Sequence, residues 1–337
     1  MKIIVDAMSG DKAPQEIVSG TLAAIKLLGV KAVLCGKEEE ILPLLEKIPK
    51  PVIDEYLEIV NASQVIEMED DPANAIRSKK DSSMTVALEL LRDGAGDAMV
   101  SAGNTGALLT GATLIVKRIN GIRRAALAPV IPNPKGGFVL IDAGANAQCT
   151  VEYLVQFAYM GSYYASDIFD LESARIGLLN IGTEATKGTE LQLETYKILE
   201  SASSAGRLNF VGNVEAKEAM NGACDVLVAD GFTGNIVLKA LEGTSAFLMG
   251  EIKTMFSNNI KTKLSALLVK KNISAIKDRL NPDAVGGTAL LGISKPVIKA
   301  HGSSNAQAIT NAIRQAARAV KADIASRLYE SVEYMKF

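Results

Sequence analysis

Ala98-Met-Val-Ser-Ala-Gly-Asn-Thr-Gly-Ala-Leu108 is the stretch that decides the fold. A short apolar run, with a strand expected over 97–100, gives way to a turn of glycine and small polar residues and then to helical spacing. The pattern recurs five times. Asp6 leads into Ala-Met-Ser-Gly-Asp11, Ile141 into Asp-Ala-Gly-Ala-Asn146, and Asn180 into Ile-Gly-Thr-Glu-Ala-Thr-Lys-Gly188. Ala229 leads into Asp-Gly-Phe-Thr-Gly-Asn235, and Ala300 into His-Gly-Ser-Ser-Asn305. Further strands are expected over 3–5, 32–35, 137–141, 175–180, 210–212, 226–229 and 297–300. Helices are expected over 14–28, 83–93, 152–169, 189–201, 244–256 and 305–328. Strands alternating with helices make βαβ units, so the fold class is α/β, a three-layer αβα arrangement around a mostly parallel sheet. All six turns then fall on one sheet edge, where open α/β proteins bind ligands.

Composition narrows the function. In 337 residues, 48% are hydrophobic, 5% aromatic and none tryptophan, which suits a large α/β core better than a stacking platform for nucleic acid. The formal net charge of -2 argues against a polyanionic partner. Cys35, Cys149 and Cys224 form no Cys-x-x-Cys pair, and His301 is the single histidine, so no structural zinc is expected. Lys2-Ile3-Ile4-Val5-Asp6 reads as a first strand, not a signal peptide, and no run of about 18 apolar residues is present to span a bilayer. The expected location is the cytoplasm.

Each glycine turn suits an anion, because backbone approaches closely there and the following helix offers unpaired N–H groups. The plainer reading is that these residues are ordinary turn and N-cap residues. The Ser101-Ala-Gly-Asn-Thr-Gly turn lacks the Lys-Ser/Thr ending of a nucleotide loop and the spacing of a dinucleotide fingerprint, so no nucleotide is expected. Asp6, Asp11, Asp142 and Asp230 suit magnesium, but equally suit caps and turns, and no metal is assigned. Lys187 can offer its ammonium to a phosphate oxygen or to the oxyanion of an attacked carbonyl, or be a solvated lysine. Asn235 can cap its helix or donate to such an oxyanion. His301 is a candidate base or phosphate ligand, and equally a structural histidine.

The stretch 253–279 carries Lys253, Lys261, Lys263, Lys270, Lys271, Lys277 and Arg279 against one acid, Asp278. Leu264, Leu267, Leu268, Ile273, Ile276 and Leu280 are interleaved. A basic amphipathic helical segment over 243–282 is expected to protrude from a single domain spanning 1–337. It can lie on an anionic membrane surface, meet an acidic protein or pair with a second copy. Lys117, Arg118, Arg123 and Arg124 form a smaller basic cluster that can receive an acidic partner or be plain surface.

At its turns the chain resembles the bacterial phosphate acyltransferases known as the PlsX family. The resemblance is carried by Val5-Asp-Ala-Met-Ser-Gly-Asp-Lys-Ala-Pro14, Ile76-Arg-Ser-Lys-Lys-Asp-Ser-Ser-Met84, Val100-Ser-Ala-Gly-Asn-Thr-Gly-Ala-Leu108, Asp142-Ala-Gly-Ala-Asn146 and Gln156-Phe-Ala-Tyr-Met-Gly161. It continues through Leu179-Asn-Ile-Gly182 with Lys187-Gly188, Gly212-Asn-Val-Glu215, Asp230-Gly-Phe-Thr-Gly-Asn235, Gly286-Gly-Thr-Ala-Leu-Leu-Gly292 and His301-Gly-Ser-Ser304. The family usually has Met-Gly-Gly-Asp where this chain has Met8-Ser9-Gly10-Asp11.

The resemblance implies that inorganic phosphate attacks the thioester of a long-chain acyl carrier protein, giving acyl phosphate for phospholipid synthesis without a cofactor. It implies a fold like those of isopropylmalate dehydrogenases and phosphotransacetylases, a homodimer, and peripheral association with the inner face of the membrane. Lys187 and Asn235 are then catalytic. Phosphate and substrate binding fall to Asp6, Gly103, Asn104, Thr105, Gly144, Asn146, Gly182, Gly234 and His301. Rival readings are a phosphotransacetylase acting on acyl-coenzyme A, a metal- and NAD-dependent hydroxyacid dehydrogenase of similar fold, and a non-catalytic adaptor.

Overall fold

A computed structural model describes residues 1–280 and 286–335, with the side chains of 260 and 275–280 excepted. Among the described residues, twelve strands form two sheets instead of the single sheet expected. They are β1 (Lys2–Asp6), β2 (Lys31–Gly36), β3 (Leu57–Asn61), β4 (Ala98–Ser101), β5 (Ala126–Ala128), β6 (Val130–Ile131), β7 (Phe138–Ile141), β8 (Arg175–Leu179), β9 (Asn209–Val214), β10 (Val226–Val228), β11 (Thr288–Leu291) and β12 (Val297–Lys299).

The first sheet runs β3-β2-β1-β4-β12-β11-β5 and the second β6-β7-β10-β8-β9. In the first, β11 alone opposes its neighbours; in the second, β6 is antiparallel to β7 and the rest are parallel. The chain passes from one sheet to the other at Pro129, between β5 and β6. Proline has no N–H to give a ladder, so it suits the point where one sheet ends and the next begins.

Central strands bury both faces. Ile3 and Val5 enter one core cluster and Ile4 the other; Val226 and Val228 part from Leu227 in the same way. Burial on both faces produces near-continuous apolar strands and three layers. Helices Gln15–Leu28, Val151–Phe169 and Ala306–Ala322 cover the first face, and Ser83–Arg92 and Thr105–Gly111 the second. The helix expected over 305–328 divides into Ala306–Ala322 and Ile324–Ser331. Asp323 takes φ +46 between them, a left-handed conformation that ends the first helix and lets its N–H reach Val320 O.

Helices Gly231–Ser257 and Ile260–Leu280 pack on each other. In the second, the half-buried Thr262, Ala266, Val269 and Ile273 follow helical steps. Leu264, Leu267 and Leu268 face outward, 60%, 68% and 88% exposed, so the segment carries an uncovered apolar stripe beside exposed lysines. The side chains of Ile276, Lys277, Asp278, Arg279 and Leu280, and positions 281–282 of the expected segment, lie outside the described residues. Among those described, no helix is long and apolar enough to cross a membrane.

Candidate active site

Three turns of the first sheet interlock. The Asp11 N–H donates to Gly302 O at 2.8 Å, and a Cβ on Gly10 would stand 3.0 Å from that oxygen and 3.1 Å from the Ala102 side chain. Ser101 Oγ donates to Asp6 Oδ2 at 2.7 Å and accepts from Gly103 N, while Ser9 Oγ would be 2.7 Å from a Cβ on Gly103. Positions 6–11, 101–105 and 300–304 therefore make one wall.

Two turns of the second sheet interlock as tightly. Asp142 is wholly buried; its Oδ1 accepts from Leu127 N, Gly144 N and Ala145 N, and its Oδ2 from Asn146 N and Nδ2, at 2.7–3.2 Å. Burial pushes the Asp142 carboxyl above its ordinary range, and the N–H donors oppose this by favouring the anion. The cluster is a frame: Gly231 N donates to Asn146 O at 2.8 Å, and a Cβ on Gly144 would stand 3.4 Å from Asn235 Oδ1. Asp230 caps helix Gly231–Ser257 by accepting from Thr233 N, which frees the Asn235 carboxamide from that task. Asn235 and Gly144 are both exposed.

Lys187 stands on the turn after β8, the neighbour of β10. Its side chain is exposed and its stem lies against Gly182, where a Cβ would meet Cγ at 3.3 Å. Asn180 fastens the turn by donating to Lys187 O at 2.9 Å. The lysine thus shares the C-terminal edge of the second sheet with Gly144 and Asn235, and its ammonium stays in solvent.

Other candidates divide between structure and surface. The Asn104 carboxamide is spent inside the protein: Oδ1 accepts from Ala107 N, and Nδ2 donates to Met68 O and Asp70 O. Asn146 Nδ2 is similarly spent on Asp142 and Ala125 O. At these positions the plain capping and turn role accounts for the amides, and a ligand would meet backbone. Thr105 is exposed; Gly234 is buried against Asp142 and sets the approach of the helix that carries Asn235. His301 is exposed, with Nδ1 paired to Ser303 Oγ at 2.9 Å. Cys35 and Cys224 are buried free thiols, and Cys149 is half-buried.

Sequence reasoning missed Lys299. It is 8% exposed, donates to Ala300 O and has no ion-pair partner among the described residues. Burial pushes its ammonium down to about 8; Lys239 acts in the same sense, and Asp6 and Asp11 act against it. The signal was a lone lysine ending an apolar strand, Pro296-Val-Ile-Lys-Ala300.

A family model described as fatty acid synthesis protein matches residues 1–327. The chain belongs to this family. A phosphate acyltransferase of Thermoanaerobacter pseudethanolicus is 46% identical over 336 residues, 99% of this chain and 98% of the relative. One from Lysinibacillus sphaericus is 45% identical, covering 100% and 99%. Among solved structures, a phosphotransacetylase of Streptococcus pyogenes superposes with TM-score 0.64 at 18% identity, over 95% of this chain and 94% of that one. A branched-chain phosphotransacylase of Enterococcus faecalis gives 0.55 at 14%, over 95% and 99%. These likenesses bear out the α/β fold class, a fold like that of the phosphotransacetylases.

Proposed function

We propose that the protein transfers an acyl group from the thioester of a long-chain acyl carrier protein to inorganic phosphate, releasing the carrier thiol and acyl phosphate. Family membership and near-full-length relatives carrying the phosphate acyltransferase name support the reaction class. The single observation that carries the site is the clamp of 142–146 on 230–235, which holds Asn235 beside exposed Gly144 on the sheet edge that bears Lys187.

Phosphate is already an oxyanion, so the protein has mainly to hold it near the carbonyl and stabilise the tetrahedral intermediate. A phosphate oxygen forms the new bond to carbon, and the carbonyl oxygen gathers charge. Asn235 Nδ2 and the Lys187 ammonium donate to that oxygen. The carbon–sulfur bond then breaks, and the thiolate leaves with the electron pair and takes a proton from solvent.

The basic cluster at Lys117, Arg118 and Arg124 adjoins the site through Ala125, whose carbonyl accepts from Asn146, and is assigned to the carrier protein. The uncovered stripe of Leu264, Leu267 and Leu268, with Lys261, Lys263, Lys270 and Lys271, is assigned to an anionic membrane surface on the cytoplasmic side. A homodimer through the remaining helix faces completes the reading.

The deciding experiment follows thiol release from palmitoyl carrier protein and from palmitoyl- and acetyl-coenzyme A while phosphate is varied. The reading expects phosphate-dependent release with the carrier donor foremost. Release only from a coenzyme A donor would transfer the assignment to a phosphotransacetylase, and release independent of phosphate would end it.

A further inference from the structure

Asp6, Ser101 and Lys299 stand in one row across β1, β4 and β12. Lys299 pairs in register with Ser101, and Asp6 follows the Val5 to Val100 pair, so all three side chains leave the same sheet face. It is the face of Ile4, Met99 and Val297, which belong to the core cluster that Val237, Leu238 and Leu241 of helix Gly231–Ser257 also join. Lys239, on the helix that carries Asn235, acts electrostatically on Lys299.

The row is polar, buried and unfinished. Asp6 Oδ1 is wholly buried without a hydrogen-bond partner among the described residues, and so are Ser9 Oγ and Ser304 Oγ in the two adjoining turns. Lys299 spends one ammonium hydrogen on Ala300 O. Asp6 and Lys299 lie two strands apart, about 10 Å between their backbones, and make no direct ion pair. Unpaired buried polar groups are costly, and here three can donate while one can only accept. Monohydrogen phosphate complements that set: its charged oxygens accept and its single P–O–H donates.

We propose that Lys299 and Asp6 hold inorganic phosphate, the ammonium donating to a phosphate oxygen and Asp6 Oδ1 accepting from the phosphate hydroxyl, with Ser9 and Ser304 as further donors. This rests on the reading of the protein as a phosphate acyltransferase and names the binding residues of its nucleophile. No proton changes owner on binding, and the ion enters with its hydroxyl orientated by Asp6 and its charged oxygens turned to the cations.

The test compares full-length wild type, Lys299→Met and Asp6→Asn in two ways. Melting is followed with inorganic phosphate against chloride at equal ionic strength, and phosphate KM and kcat are measured with palmitoyl carrier protein. Wild type should melt higher in phosphate. Both variants should lose that shift and raise the phosphate KM by about 10- to 100-fold, more than kcat falls. Without phosphate, Lys299→Met should melt no lower than wild type, because a buried charge has been removed; a purely structural lysine would make it melt lower. If either folded variant keeps the wild-type phosphate shift and KM while wild type turns over, the assignment is overturned and the acyltransferase reading stands. If wild type itself neither shifts with phosphate nor releases thiol, both fall.

Discussion

Gly234 stands flush against the main-chain carbonyl of Asp142: a Cβ built on Gly234 would fall inside that oxygen. Helix Gly231–Ser257 can start where it does only because this residue has no side chain. Gly234→Ala must lift the helix start away from the 142–146 turn and carry Asn235 with it. The overpacking should cost about 1–3 kcal/mol in urea unfolding. Turnover should fall by at least about 10², since small displacements of a catalytic group cost that much. Full activity in a folded Gly234→Ala protein would show that the clamp does not position Asn235.

Asp142 holds the other jaw. Replacing it with Asn keeps the shape but sets an NH2 donor against N–H groups that in the wild type donate to a carboxylate oxygen. Breaking a buried, fully paired network in this way should cost about 2–4 kcal/mol, read as a lowered denaturant midpoint with unchanged slope. A midpoint equal to wild type would mean that the frame is held elsewhere.

Lys187→Ala and Asn235→Ala remove one oxyanion donor each. Each should lower kcat by about 10² to 10³ with little change in melting temperature, because both side chains are exposed in the folded chain. Near-wild-type thiol release by either protein removes that residue from the mechanism.

Leu267 and Leu268 project from the Ile260–Leu280 helix with no cover among the described residues. The double change Leu267→Glu/Leu268→Glu adds charge without disturbing the half-buried positions at 266, 269 and 273. Flotation with anionic liposomes should drop several-fold while thiol release in solution is kept. Equal flotation of the two proteins would clear this stripe of a membrane role.

The strands legible in the sequence were apolar runs bounded by turn residues: β1, β2, β4, β7, β8, β9, β10 and β12 were all anticipated within two residues at either end. Those that escaped had reasons to. β5 is Ala126-Leu-Ala128, of poor strand propensity, and β6 is two residues after a proline. β3 is only half-buried, and β11 runs against its neighbours, so no helix-to-strand alternation announces it. Missing β5 and β6 hid the crossing between sheets, and one edge was expected where there are two. For the site, glycine and cap residues marked the right turns, but local pattern cannot tell a carboxamide spent on its own backbone, as at Asn104, from one left for a ligand, as at Asn235. Lys299 was invisible because its meaning lies in Asp6 and Ser101, nearly 300 and 200 residues away.

The depressed ammonium of Lys299 makes a prediction about stability that needs no substrate. Its folded value is pushed to about 8 by burial and by Lys239, with Asp6 and Asp11 opposing, against 10.5 for an ordinary lysine. Below pH 8 the group is protonated in both folded and unfolded chains, and the full cost of burying the charge is present. Between pH 8 and 10.5 the unfolded chain binds more protons here than the folded one, so this site's contribution to stability rises with pH through that window. The whole swing, from 10.5 to about 8, is about 3–4 kcal/mol. Other lysines and tyrosines titrate over the same range, so the quantity to read is the difference between wild type and Lys299→Met in urea at pH 7.5 and 10, without phosphate. The variant should be the more stable protein at pH 7.5, and its advantage should shrink as the wild-type lysine sheds its proton. A gap that stays constant, or widens, would mean that Lys299 keeps an ordinary affinity for its proton in the folded chain.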